Sequence, residues 1–200
     1  MDERDYHSRR TFLFSGVAAA TGLTLACTDI AIGQQLDPTP ECKDSHEPTL
    51  RQTEGPFFKP RSPNRSDLRE PNLTGDPLAI SGLVLTRSCR PVAGALVDLW
   101  HADCAGEYDN KTFRGRGHQF TDSDGRYRFI TVKPARYPGR TRHFHVKVQA
   151  ANRPVLTTQL YFPNDPGNDR DPIFRKDLLM RLSDRGVLPA ANFDFVLDLA

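Results

Sequence analysis

The chain has 200 residues, 38% hydrophobic and 26% charged, enough for one well-cored domain, which excludes a disordered or fibrous polypeptide. Its formal net charge of +2 comes from intermixed acids and bases, so the basic stripe of a nucleic-acid binder is missing. Fourteen Gly and sixteen Pro favour a loop-rich β body over a helix bundle, and the wide spacing of Cys27, Cys42, Cys89 and Cys104 matches neither a disulfide-dense scaffold nor paired zinc knuckles.

Residues 1–33 read as an address. The apolar run of residues 12–27 is too short and too rich in Gly, Ala and Thr to span a bilayer comfortably, so it reads as a signal-peptide core. Ser8-Arg9-Arg10-Thr11-Phe12-Leu13 before it resembles the twin-arginine export motif, and cleavage is expected after Gly33. The expectation is a periplasmic or extracellular protein with no membrane span in the mature chain. Thr24-Leu25-Ala26-Cys27 loosely resembles a lipobox, with Thr in place of the usual aliphatic residue, so anchoring at Cys27 stays open.

Residues 34–77 hold half of the prolines, a density that blocks ladders and helices and predicts an extended arm lying along a body. Residues 78–200 are expected to form the catalytic body. Strand-like runs follow at Leu78–Leu85, Ala95–His101, Tyr127–Val132, His143–Val148, Leu156–Phe162 and Phe193–Leu199, separated by turn residues such as Asp124-Gly125. One helix is predicted near residues 172–185, with Asp171 as its cap, Phe174, Leu178 and Leu182 recurring every four residues, and Gly186 at its end. The sum is an all-β chain: a β-sandwich with long loops, a Pro-rich N-terminal arm and one short C-terminal helix.

In the run from His143 to Val148, strand alternation places His143 and His145 on one face and Phe144, Val146 and Val148 on the other. Two imidazoles side by side on a rigid strand can chelate a metal ion. Zinc would want Cys, more His or carboxylates, whereas ferric iron prefers harder phenolate or carboxylate oxygens. Tyr108 and Tyr137 are the candidate phenolates, and His101 or His118 joining the pair in a zinc or copper site is the alternative.

The segments Thr53-Glu54-Gly55-Pro56-Phe57-Phe58, Ile80-Ser81-Gly82, Ala95-Leu96-Val97-Asp98-Leu99-Trp100-His101, Thr121-Asp122-Ser123-Asp124-Gly125, His143-Phe144-His145 and Thr157-Thr158-Gln159 occur in an order that resembles the intradiol ring-cleavage dioxygenases. The resemblance spans roughly residues 50–165. It implies a β-sandwich holding one non-haem Fe(III) per chain through Tyr108, Tyr137, His143 and His145. It further implies that Arg140, supported by Gln159, stabilises charge on the substrate, that Tyr137 acts as a base, and that Gly55 and Pro56 line the substrate cleft. The reaction implied is cleavage of a catechol-type ring by O2 between its two hydroxylated carbons, giving a muconate-type diacid. A homo-oligomer is compatible with this reading. The alternative is a secreted β-sandwich module that binds a ligand or carbohydrate without turnover.

Two departures bear on substrate fit: Gly139 follows Tyr137-Pro138 where an aromatic residue is common, and Arg140 comes at once after it. Arg142 is the rival for the pocket cation, but alternation points it away from the histidine face. Cys42 and Cys89 are placed to bridge arm and sandwich, with Cys104 as a competitor.

Overall fold

The computed structural model describes residues 47–200; the export signal with Arg9 and Arg10, Cys27, Cys42 and the start of the arm lie outside the described residues. Among the described residues nine strands form two sheets: β1 Pro77–Leu85, β2 Leu96–Trp100, β3 Arg116–Phe120, β4 Arg126–Val132, β5 His143–Gln149, β6 Leu156–Tyr161, β7 Arg181–Ser183, β8 Ala190–Asn192 and β9 Phe195–Val196. One sheet has the order β3-β2-β5-β6; the other runs β4-β1-β8-β7, with β9 also paired to β1. The chain is an all-β sandwich. Between the sheets Val97, Leu99, Phe129, Phe144, Val146, Val148 and Leu160 are completely buried, the inward half of each alternating strand.

The other face of the four-stranded sheet is covered as well. Residues 49–68 cross it in extended form, with Gln52 N donating to Thr157 O at 2.8 Å over β6 and Arg65 N donating to His118 O at 2.9 Å over β3. Leu68 N then donates to Ile130 O at 2.8 Å on the second sheet. Covering both faces explains why β5 is buried at His143 and His145 as completely as at Phe144. It also explains why β3 is not legible as a strand: its sequence Arg-Gly-His-Gln-Phe packs under the arm, and a Cβ on Gly117 would lie 2.5 Å from Leu68 Cδ2.

The helix expected over residues 172–185 is not there. One 3-10 turn, Lys176–Leu178, and the strand β7 take its place. Leu178 is buried, but Leu182 is 46% exposed, so the four-residue spacing does not make one face. Met180 N donates to Tyr161 O at 2.9 Å and β7 pairs antiparallel with β8, so open sheet edges capture this stretch as extended chain. Asp171 does receive the Ile173 N–H on Oδ1, but its Oδ2 serves Arg140 and Thr141 instead of a helix.

Cys89 is disulfide-bonded and Cys104 is a free, exposed thiol, so Cys104 is not the partner of Cys89. The expected partner, Cys42, lies outside the described residues.

Candidate metal centre and active site

The site is built on the outward face of β5. His143 Nδ1 donates to Thr141 O at 2.7 Å, which fixes its tautomer and leaves Nε2 as a lone pair. That nitrogen stands 3.2 Å from His145 Nε2 and 3.4 Å from the Tyr108 hydroxyl. Trp100, opposite His145 across β2, stacks on its ring at 5.0 Å, and a Cβ on Gly55 would stand 3.2 Å from His145 Cε1. Burial, then the neighbouring Arg140 charge, pulls His143 down to about 4. Burial, then the His143 charge, holds His145 well below the ordinary histidine value, so both rings are neutral donors at physiological pH.

Tyr108 reaches the histidines from the loop after β2. Phe57 of the arm lies flat on it, with ring centroids 4.4 Å apart. Burial raises its phenol above the ordinary value, so a bound cation is what would draw the proton off. Tyr137 stands edge-on to Tyr108 at 5.9 Å and tilted against His143 at 5.7 Å, which closes a ring of four side chains. Gly55 takes φ +70°, a conformation glycine adopts without strain, and this turn presses the arm onto His145; Pro56 beside it is exposed.

Arg140 lies alongside. Its Nε donates to Asp171 Oδ2 at 2.9 Å, Nη2 to Gln159 Oε1, and Nη1 to the Tyr137 hydroxyl at 3.4 Å. Burial opposes its charge, but the hydrogen bond and charge of Asp171 outweigh it and hold the guanidinium above its ordinary value. Gln159 is itself tied to the arm through Nε2 and Thr53 O at 2.9 Å. Arg142 points elsewhere, to Asp165 at 3.3 Å, and lines a separate cleft with Cys104 and Lys133.

The alternative ligands do not join. His101 is turned into the inter-sheet core, bonded to Ala102 O at 2.7 Å and to the Thr131 hydroxyl at 2.6 Å. His118 lies on β3, with Nδ1 3.1 Å from Ser62 Oγ, whose hydroxyl donates to Asp98. Among the described residues no cluster of three or more His, Cys, Asp or Glu side chains forms, so four donors are reached only by counting the phenols. Two adjacent donors at about 2.1 Å from a shared ion stand roughly 3 Å apart, and the contacts of 3.2 and 3.4 Å match that span. Two imidazoles with two phenols suit ferric iron.

One residue that builds the site gave no sequence signal. Arg116, 1% exposed, donates through Nη1 to Phe57 O at 2.6 Å and through Nη2 to Asp109 O at 3.1 Å, tying the arm to the residue after Tyr108. Only its contacts with two carbonyls, one of them 59 residues away, reveal it.

A sandwich that brings paired imidazoles and paired phenols together under one covered face presents a donor set of the kind that suits a metal ion. The profile of a family described as Dioxygenase matches residues 53–198. The chain belongs to the intradiol ring-cleavage dioxygenase family. It is 35% identical over 154 residues to the protocatechuate 3,4-dioxygenase beta chain of Burkholderia cepacia, covering 62% of this chain and 65% of that one. It is 29% identical to hydroxyquinol 1,2-dioxygenase of Nocardioides simplex, covering 86% of this chain and 63% of that one. The chain therefore spans less than two thirds of these relatives' length. A solved dioxygenase domain from a dioxygenase–carbohydrate-binding fusion protein of Streptomyces sp. SirexAA-E is 52% identical, with a TM-score of 0.74, covering 77% of this chain and 100% of that one.

Proposed function

We propose that this chain is an exported non-haem ferric intradiol dioxygenase, opening catechol-type rings with O2 to muconate-type diacids. The observation that carries the reading is the meeting of two neutral imidazole Nε2 atoms, 3.2 Å apart, with the Tyr108 hydroxyl, 3.4 Å from one of them. Tyr108, Tyr137, His143 and His145 would hold the iron. Bound there, it supplies Lewis acidity that draws both oxygens of a catecholate and opens the ring to O2.

The chain's own groups do the rest. A catechol must shed protons to bind through both oxygens, and Tyr137, half-buried beside a cleft, would as a phenolate holding the ion accept one of them and become a phenol. Arg140, kept charged by Asp171 and oriented by Gln159, faces the negative charge that builds on the ring as a C–O bond becomes ketone-like. Gly55 against His145 and Phe57 over Tyr108 keep water from the outer sides of those two donors. The Arg9-Arg10 motif ahead of a short apolar run supports export by the twin-arginine route. Among the described residues no helix is long and apolar enough to cross a membrane. A binding module without turnover has no use for four converging metal donors.

Metal analysis with product identification tests the reading. The expected result is about one iron per chain and ring-opened diacid from catechol with matching O2 uptake. Zinc or copper in its place, or an iron-loaded protein inert toward every catechol, overturns it. Changing Arg9 and Arg10 to Lys is expected to trap the precursor inside the cell, and unaltered export rejects the twin-arginine route.

A further inference from the structure

A cleft of about 280 Å³ opens beside Arg140 and Tyr137, the one candidate donor that lines it, with Gly139 and Gly167 in its wall. Its wall is low at Gly139, where an added Cβ would meet nothing within 4 Å. Two more guanidiniums, Arg136 and Arg170, line it, so three arginines face the single carboxylate of Asp171. That carboxylate is already matched with Arg140 at 2.9 Å. Arg136 shares Asp165 with Arg142, at 3.8 and 3.3 Å, and the exposed Arg170 has no ion-pair partner among the described residues.

The uncompensated charge also has a position. The Arg140 side chain is 13% exposed and that of Arg136 is 46% exposed, so the surplus stands at the mouth and not beside the donors. We infer that the site takes catechols carrying a short side chain that ends in a carboxylate. With the ring hydroxyls at the donors and Arg140 beside the ring, the side chain runs over Gly139 and its acid group meets Arg136 and Arg170. A carboxylate fixed directly to the ring stays deeper, where Asp171 already answers the local cation. This inference rests on the ring-cleavage reading above.

The test compares 3-(3,4-dihydroxyphenyl)propanoate with 4-propylcatechol, a neutral catechol of matched length, on the iron-loaded enzyme. The acid is expected to have the lower KM, and its advantage to shrink as salt is raised from low ionic strength, as for exposed charges. Arg170→Glu is expected to raise KM for the acid, relative to the neutral catechol, by about five-fold or more. Arg185→Glu makes the same change in net charge away from the cleft and serves as control. An unchanged KM ratio in Arg170→Glu, an equal shift in Arg185→Glu, or a salt-independent preference overturns the inference while ring cleavage stands. If neither is cleaved while unsubstituted catechol is, this inference alone falls; if unsubstituted catechol is inert as well, the ring-cleavage reading falls and takes this one with it.

Discussion

His101 and His143 are alike in burial and unlike in everything that follows from it. Each is pulled to about 4, chiefly by burial. His101, on the core side of the four-stranded sheet, spends both ring nitrogens on the protein, on Ala102 O and the Thr131 hydroxyl. His143, on the arm side, spends one on Thr141 O and turns the other toward a second imidazole and a phenol. Burial makes an imidazole neutral; only a lone pair left without a protein donor makes it a ligand.

Substitution at both places breaks the comparison most directly. His145→Ala is expected to abolish iron binding and turnover together, whereas His101→Gln keeps about one iron per chain, measured on purified folded protein. Iron retained at full stoichiometry by His145→Ala places the centre elsewhere.

The next effect separates binding from chemistry on the arm side. Arg140→Ala is expected to keep the iron, the phenolate-to-iron colour and its shift on anaerobic addition of catechol. It should still lose about 10²–10³ in turnover, roughly 3–4 kcal/mol of transition-state stabilisation. Arg142→Ala, which touches Asp165 instead, should be mild. Reversed results would mean the strand register around β5 is displaced by one residue.

The smallest effect sharpens the core side. Because the folded-state value of His101 lies near 4 and the unfolded value near 6.5, the unfolded chain binds more protons between them. Stability is therefore complete above about pH 6.5 and falls as pH drops toward 4, by up to about 3 kcal/mol from this residue. Denaturant midpoints for wild type and His101→Gln should converge across that window. A parallel pH dependence in the two proteins rejects the assignment.

What the sequence makes legible depends on how many faces an element hides. Phe144, Val146 and Val148 face the core and alternate with His143 and His145, so strand and faces are readable from β5 alone. The turn residues Asp124-Gly125 likewise mark the entry to β4. Strand β3 hides under the arm, its partners are backbone atoms of Pro63 and Arg65, and no hydrophobic period records that. The residues from Asp171 to Leu182 carry a helical spacing, yet the edges of β6 and β8 offer pairing that local propensity cannot anticipate. Asp171, which looks like a cap, is the counter-ion of Arg140. The departure at Gly139 is visible as a missing side chain, but the cleft it opens also needs Arg170, which a separate loop brings in.

The arm also bears on the order of events during assembly. All four donors lie between Tyr108 and His145, on the sandwich, whereas the wall over His145 arrives with Gly55 and is latched by Gln159 to Thr53 O and by Arg116 to Phe57 O. A chain whose arm has not yet docked presents an open cup to any cation nearby. With the latches closed, Gly55 covers His145 and Phe57 covers Tyr108 from the arm side, while Tyr137 borders an open cleft. On the proposed ferric reading, the compartment in which the arm closes would therefore decide which ion the site receives.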